Sequence, residues 1–309
     1  MILCCGEALI DMIPAPTAGG PDGFVPHAGG AIFNTAIALG RLGRPAGMLT
    51  GLSSDLFGQQ LRNGLEASQV DTSLVVTLDL PTTLAFVRLQ DGNATYTFYD
   101  ENSAGRSLTE ADLPNIPASV KALFFGGISL CSEPGADAYR ALAEREAANR
   151  VVMIDPNIRP GFISDEARYR ARLSAMIAVA DVVKVSGDDL EWMFPDAATE
   201  QAAAERLLDE GPAMVLLTQG GDGALALRKG KAPLRVAAGK AKVVDTVAAG
   251  DTFNGGFLAQ LDTLGLLSKG AIADIDDAPL ADAMSYAARA AAVTVSRSGA
   301  NPPRADELD

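Results

Sequence analysis

Residues 243–256, VVDTVAAGDTFNGG, gather the side chains and the flexibility that handle phosphate. A strand-like run ends at Asp245. Ala248, Ala249 and Gly250 follow, and a helix is expected over 251–264. Small residues let backbone N–H groups converge on an anion, and a helix N-terminus adds a favourable dipole. Asp251 in the first turn would stand beside that anion. It is expected to be ionised, because the positive end of the helix lowers a carboxylate pKa. An ionised carboxylate there can take the proton of an attacking hydroxyl. The residues leave a second reading equally open, in which Asp251 is an N-cap and the small residues serve close packing.

Other segments could serve the same chemistry. Gly29 and Gly30 allow close backbone approach, and Asn34 brings donors and acceptors to a helix start, which suits hydroxyl recognition or a capped tight turn. The run 218–223, TQGGDG, follows an apolar strand and could cradle a nucleotide through Thr218, Gly220 and Gly223. Asp11 could pair with sugar hydroxyls or end a strand. Asn157 and Arg159 follow a strand end in DPNIRP, where ligands gather and where the prolines serve equally to fix a turn. Lys184, Asp188, Asp189 and Glu191 could organise a metal or phosphate through water, or form a solvated helix start. The Ala-rich stretch 282–294, which includes Ala288, suits close packing or a flat adenine ring.

Several classes fall away. His27 is the single histidine, in FVPHAGG, so HExxH proteases, multi-histidine metal sites and the HRD kinase loop are excluded. No nucleophile elbow and no GxxxxGK[ST] motif exist. Residues 221–226, GDGALA, match GxGxxA, with Asp245 about twenty residues on. The alternating, basic and Pro-broken continuation ALALRKGKAPLRV reads as a hairpin rather than the required helix. A formal charge of −14 argues against nucleic acid and anionic membranes as partners. Cys4, Cys5 and Cys131 have neither zinc nor disulfide spacing, which fits a reducing, cytoplasmic setting. The N-terminus lacks the basic start of a signal peptide, and no apolar run approaches a membrane span.

The elements that must position these residues alternate. Short apolar strands are expected at 2–5 (extended by 9–13), 48–52, 122–125, 151–154, 182–185, 214–218 and 242–244. Helices are expected at 34–42, 57–68, 136–149, 166–179, 188–193, 200–210, 251–264 and 282–294. This predicts an α/β fold with a mostly parallel sheet covered by helices on both faces, and ligands at the carboxyl ends of its strands. Two hairpins interrupt the alternation. One spans 82–99 around Asp91-Gly92, and the other 223–236.

Taken in order, GEALIDMIP, GGAIFNTAIALGRLG, DPNIRP, TQGGDGA, DTVAAGDTF and AAAVTVSRSGA resemble the ribokinase-like, PfkB-type sugar kinases, nearly end to end. The resemblance implies one ribokinase-like kinase domain over 1–309, with a β lid from insertions at about 12–26 and 80–106. It implies transfer of the ATP γ-phosphoryl group to a sugar hydroxyl, with Mg²⁺. Asp251 would be the base, and the backbone amides of Ala249, Gly250 and Asp251 would form the anion hole, with Ala248 in the same loop. Asp11, Gly29, Gly30, Asn34, Phe98 and Arg159 would hold the sugar. Lys184, Thr218, Gly220, Gly223 and Ala288 would border the nucleotide. A K⁺ site is implied near Asp245, Val247, Thr294, Arg297 and Gly299, and a water-mediated Mg²⁺ contact at Asp189. The lid would also serve a homodimer. The chain departs from the family pattern in two segments: Ala248 replaces a glycine, and Ser186 and Asp189 replace Asn and Glu. PTTLAFVRL, TFYDENSAGRSL and GISLCSEPGADA look like bacterial fructokinases. Asp100 and Glu101 after Tyr99 argue for a neutral sugar over 2-keto-3-deoxygluconate. Ribose, a nucleoside or a non-catalytic sensor are the alternatives.

Overall fold

The computed structural model describes residues 1–90 and 93–308. Nine strands form the central sheet. From one edge to the other they are Leu234–Val236, Ala224–Arg228, Met214–Thr218, Val182–Ser186, Val151–Asp155, Ala122–Gly126, Ile2–Cys5, Ala46–Leu49 and Val70–Asp71. The first two pair antiparallel, as the alternating hairpin pattern predicts. The others are parallel. The central strands are apolar throughout because both faces are covered. Phe124 and Met153 pack into one layer, and Leu123, Phe125 and Ile154 into the other. Strand direction puts Glu7, Asp155, Ser186 and Thr218 at the same carboxyl edge, where chemistry concentrates in such sheets.

A separate four-stranded sheet, in the order Gly23–Gly29, Leu9–Ala15, Leu84–Gln90, Asn93–Tyr99, rises beside that edge. Its strands include residues 12–15 and 23–26 of one expected insertion and 84–90 and 93–99 of the other. The Asp91-Gly92 turn itself lies outside the described residues. Phe86 makes edge-on contacts with Phe24 and Tyr99, which tie three strands of the lid together.

Four expectations need correction. Residues 9–13 do not prolong the first strand; Leu9–Ala15 crosses into the lid sheet and pairs with Gly23–Gly29. The expected strand 48–52 divides into Ala46–Leu49 and Gly51–Ser53, and the latter joins Val76–Leu78 in a two-stranded pair. Residues 242–244 form no strand. Val243 and Val244 are exposed, and Val244 N–H donates to Val295 O at 2.7 Å. The last helix is longer than its Ala-rich part, spanning Asp277–Val295, with Pro279 tolerated in its first turn.

Candidate active site

The helix Ala249–Thr263 follows Ala248, which sits in the left-handed region at φ 61° and ψ 14°. That conformation favours glycine, so the methyl group here is carried at a cost. No side chain caps this helix. Its Ala249 N–H is turned to Thr246 O at 3.3 Å, and Thr252 N–H reaches Ala248 O at 2.9 Å. Among the described residues, the N–H groups of Gly250 and Asp251 find no acceptor. Two free donors at a helix N-terminus are an anion site. The expected three-amide loop is thus reduced to two free donors, because Ala249 is spent locally.

These donors separate two cavities. One, about 400 Å³, is lined by Asp11, Gly30, Asn34, Phe98, Arg159 and Lys184, with residues 246–251 at its floor. The other, about 640 Å³, is lined by Thr218, Gly220, Gly223 and Ala288 together with Gly239, Val243 and Ala292. Thr246, Ala249 and Gly250 border both, whereas Asp251 faces only the first. The expected hydroxyl-binding and nucleotide-binding residues therefore fall on opposite sides of one loop, with the exception of Lys184, which stands on the acceptor side.

Asp251 is 8% exposed. Asn34 Nδ2, from the adjoining helix Ala31–Arg41, donates to its Oδ2 at 2.9 Å. Thr35 Oγ1 shares its one proton between Ala31 O of its own helix, at 3.0 Å, and the Asp251 backbone carbonyl, at 3.2 Å. The carboxyl pKa is pushed from its ordinary 3.8 up to about 7, first by burial, then by the negative charges of Asp155 and Glu7. The Asn34 hydrogen bond and Lys184 pull the other way without prevailing. The expectation of a fully ionised Asp251 is corrected accordingly: desolvation outweighs the helix dipole. A value near 7 is well matched to a general base at neutral pH. Asp11 is also raised, to about 6, by burial.

Several lining residues escaped the sequence reading. Glu7, 8% exposed, accepts Ala31 N–H at 3.0 Å and Ser129 N–H at 3.2 Å. It thereby fixes the start of the helix that carries Asn34. Gly30, at φ +106°, has its would-be side-chain position filled by Glu7, and the space in front of Gly29 is filled by the Asp11 carboxylate. Gly29 thus supports Asp11 from behind and does not line the cavity. Tyr96 and Phe98 come from the lid, and Phe98 meets Phe162 of the core edge-on at 4.0 Å between ring centres. Asp155 lines the same cavity, and Asn254, which lines neither cavity, stands behind it and donates to its Oδ2 at 2.7 Å. Only the position of Asp155 at a strand end, and of Asn254 one helical turn after Asp251, could have signalled them.

The remaining expected residues lie elsewhere. Asp189 lines neither cavity. Its carboxylate accepts from Ile158 N–H at 2.7 Å, Ser186 N–H at 2.8 Å and Ser186 Oγ at 2.6 Å, closing a capping box on the helix Gly187–Met193. Asp245 accepts from Val247 N–H at 3.0 Å and Gly299 N–H at 2.8 Å, clasping the two loops expected to hold K⁺. Thr294 Oγ1 is buried against Thr252 Oγ1 at 2.9 Å, and Arg297 pairs with Glu307. Asp100 is bound to Thr83 and Ser103, and neither it nor Glu101 lines the acceptor cavity. Among the described residues, the carboxylates that line the first cavity are Glu7, Asp11, Asp155 and Asp251.

A buried carboxyl group with a pKa near 7 stands beside free helix-terminal amides, between two cavities at the carboxyl edge of the sheet, an arrangement suited to a phosphotransferase with an alcohol acceptor. Residues 1–307 match the pfkB family of carbohydrate kinases, and the chain belongs to that family. It is 49% identical to a fructokinase of Rhizobium leguminosarum bv. trifolii over 280 residues, covering 91% of this chain and 85% of that one. It is 30% identical to the probable fructokinase-7 of Arabidopsis thaliana, covering 98% and 89%. The structure of an ATP-bound fructokinase from Xylella fastidiosa superposes with a TM-score of 0.90 at 29% identity, covering 99% and 96%. An aminoimidazole riboside kinase from Salmonella enterica superposes with a TM-score of 0.85 at 27% identity, covering 99% and 97%.

Proposed function

We propose that this protein phosphorylates fructose with ATP. The observation that carries the reading is Asp251, a buried carboxylate tuned to about 7, facing the acceptor cavity beside the free N–H groups of Gly250 and Asp251. The sugar lies in the cavity of Asp11, Gly30 and Asn34, with Phe98 and Arg159 opposite. ATP lies in the cavity of Thr218, Gly220, Gly223 and Ala288, its γ-phosphate at the shared loop. The acceptor oxygen bonds to the γ-phosphorus, its proton passes to Asp251, and the bond to the β-bridging oxygen breaks with its electron pair leaving on ADP. The free amides meet the charge carried by the phosphoryl oxygens. The Phe98–Phe162 contact closes the lid over the sugar and keeps water out.

Mg²⁺ fits as an ion carried by the triphosphate. Among the described residues no group of three or more ligating side chains could hold a metal alone. The buried Oδ1 of Asp155 has no hydrogen-bond partner and offers an acceptor to a water of such an ion. When bound, the ion would neutralise phosphate charge. K⁺ would be held by oxygen atoms of the two loops that Asp245 clasps through Val247 N–H and Gly299 N–H. Fructose is favoured over a sugar acid because four carboxylates face the acceptor and Lys184 is already paired with Asp155. The lid sheet exposes Phe24 and Tyr99 on one face, both against Phe86, an apolar patch for a second copy in a homodimer. Three free, buried cysteines suit the cytoplasm. No helix among the described residues is long and apolar enough to cross a membrane.

The test is ADP release with fructose, 2-keto-3-deoxygluconate, ribose, adenosine or no sugar. A kcat/KM for fructose at least tenfold above the others is expected. Preference for the keto-acid would overturn the charge argument.

A further inference from the structure

We propose that Asp155 and Asn254 are positioning residues that hold the Lys184 ammonium against Gly250, where it meets the phosphoryl group during transfer. The inference rests on the kinase reading above. Lys184 is 5% exposed and Asp155 3%. Lys184 Nζ donates to Asp155 Oδ2 at 3.0 Å, and Asn254 Nδ2 donates to the same oxygen at 2.7 Å. The carboxylate is thus pinned from two sides, and it pins the ammonium in turn.

Two further observations give this pair a direction. A Cβ added to Gly250 would stand 3.2 Å from Lys184 Nζ, so the ammonium occupies the space beside the free amides that a side chain would take. An ammonium also has three donors, and Asp155 is its only hydrogen-bond partner among the described residues. The remaining donors are unspent in a group that lines the acceptor cavity. A buried ion pair contributes little to stability against a well-packed apolar pair, so stability alone is a poor reason for burying one here. Asn254 lies three residues after Asp251, on the same face of the same helix. One helix therefore presents both the base and the clamp of the cation. During transfer the acceptor oxygen bonds to phosphorus, ADP leaves with the electron pair of the broken bond, and the proton goes to Asp251. Lys184 keeps its own protons throughout and acts as a fixed charge.

The test compares wild type, Lys184→Met and Asn254→Ala, leaving Asp155 in place. Turnover is read first on the wild type with whichever panel sugar it accepts, so a wrong sugar leaves this test intact. Turnover with no sugar at all would overturn both readings. For Lys184→Met, kcat is expected to fall about 10²–10³-fold, the range for losing one preorganised charge-stabilising donor. For Asn254→Ala the expected loss is about tenfold to a hundredfold, that of one hydrogen bond to a charged group. Both KM values should stay within about threefold, and added Mg²⁺ should restore nothing. MgADP with aluminium fluoride and the accepted sugar, a mimic of the phosphoryl group in flight, should bind weaker by a similar factor, with MgADP alone unaffected. If Asn254→Ala does not fold, Lys184→Met with the fluoride complex decides. Wild-type kcat in a folded variant, a loss confined to KM, or recovery with Mg²⁺ would each overturn the proposal.

Discussion

Replacing Asp251 by Asn should make the protein more stable while removing its activity. The carboxyl pKa is raised in the fold from 3.8 to about 7. Between those values the folded state binds more protons than the unfolded state, so stability falls as pH rises through that window. The displacement corresponds to about 4 kcal/mol once pH is above 7. Less than half of that is felt at pH 5, where the folded carboxyl is still mostly protonated. Asn keeps the shape, keeps an acceptor for the Asn34 amide, and carries no charge to desolvate. Asp251→Asn should therefore melt on the order of 5 °C above wild type at pH 8 and by clearly less at pH 5. Thermal melting of both proteins across that range is the assay. In parallel, wild-type kcat/KM should rise with pH through about 7, as the base of the free enzyme ionises. A variant that is less stable than wild type at pH 8, or a gain that does not grow with pH, would refute the claim that a desolvated charge sits in this site.

Four further outcomes are expected. Ala248→Gly relieves the left-handed strain but adds freedom to the unfolded chain, so melting should shift by about 1 kcal/mol or less and kcat by under about threefold. Phe162→Ala removes the lid's aromatic contact and should raise the fructose KM roughly tenfold, with the ATP KM unchanged in the same titrations. K⁺ added to a choline-buffered assay should stimulate turnover, and Asp245→Ala, which opens the clasp to Val247 and Gly299, should abolish the stimulation. Sedimentation should give a dimer for wild type and a monomer for Phe24→Arg, which places a charge on the exposed lid patch.

The parallel sheet was legible because its central strands are short, wholly apolar and separated by helical periodicity. The lid was legible because TTLAFVRLQ and NATYTFYDE alternate around a turn signal. The path of residues 9–15 was not, since an apolar run does not say which sheet it joins. In the site, Asp251, Asn34, Asp11 and the glycines stood in recognisable spacings. Glu7, Asp155 and Asn254 did not, because their importance comes from partners far along the chain: Glu7 with Ser129, and Asp155 with Lys184 and Asn254. The protonation of Asp251 was misjudged for a related reason. The local helix terminus is visible in sequence, whereas the burial that outweighs it arises only when the two helices pack. Asp189 looked like a metal contact until its backbone partners were seen.

The most direct test of Asp251 as the base is transfer of labelled γ-phosphate from ATP to fructose by wild type and Asp251→Ala, both saturated with substrates. The account predicts fructose phosphate from wild type and a rate at least about 10³-fold lower from the variant, with fructose and MgATP still bound. Turnover by the variant within about tenfold of wild type would contradict it.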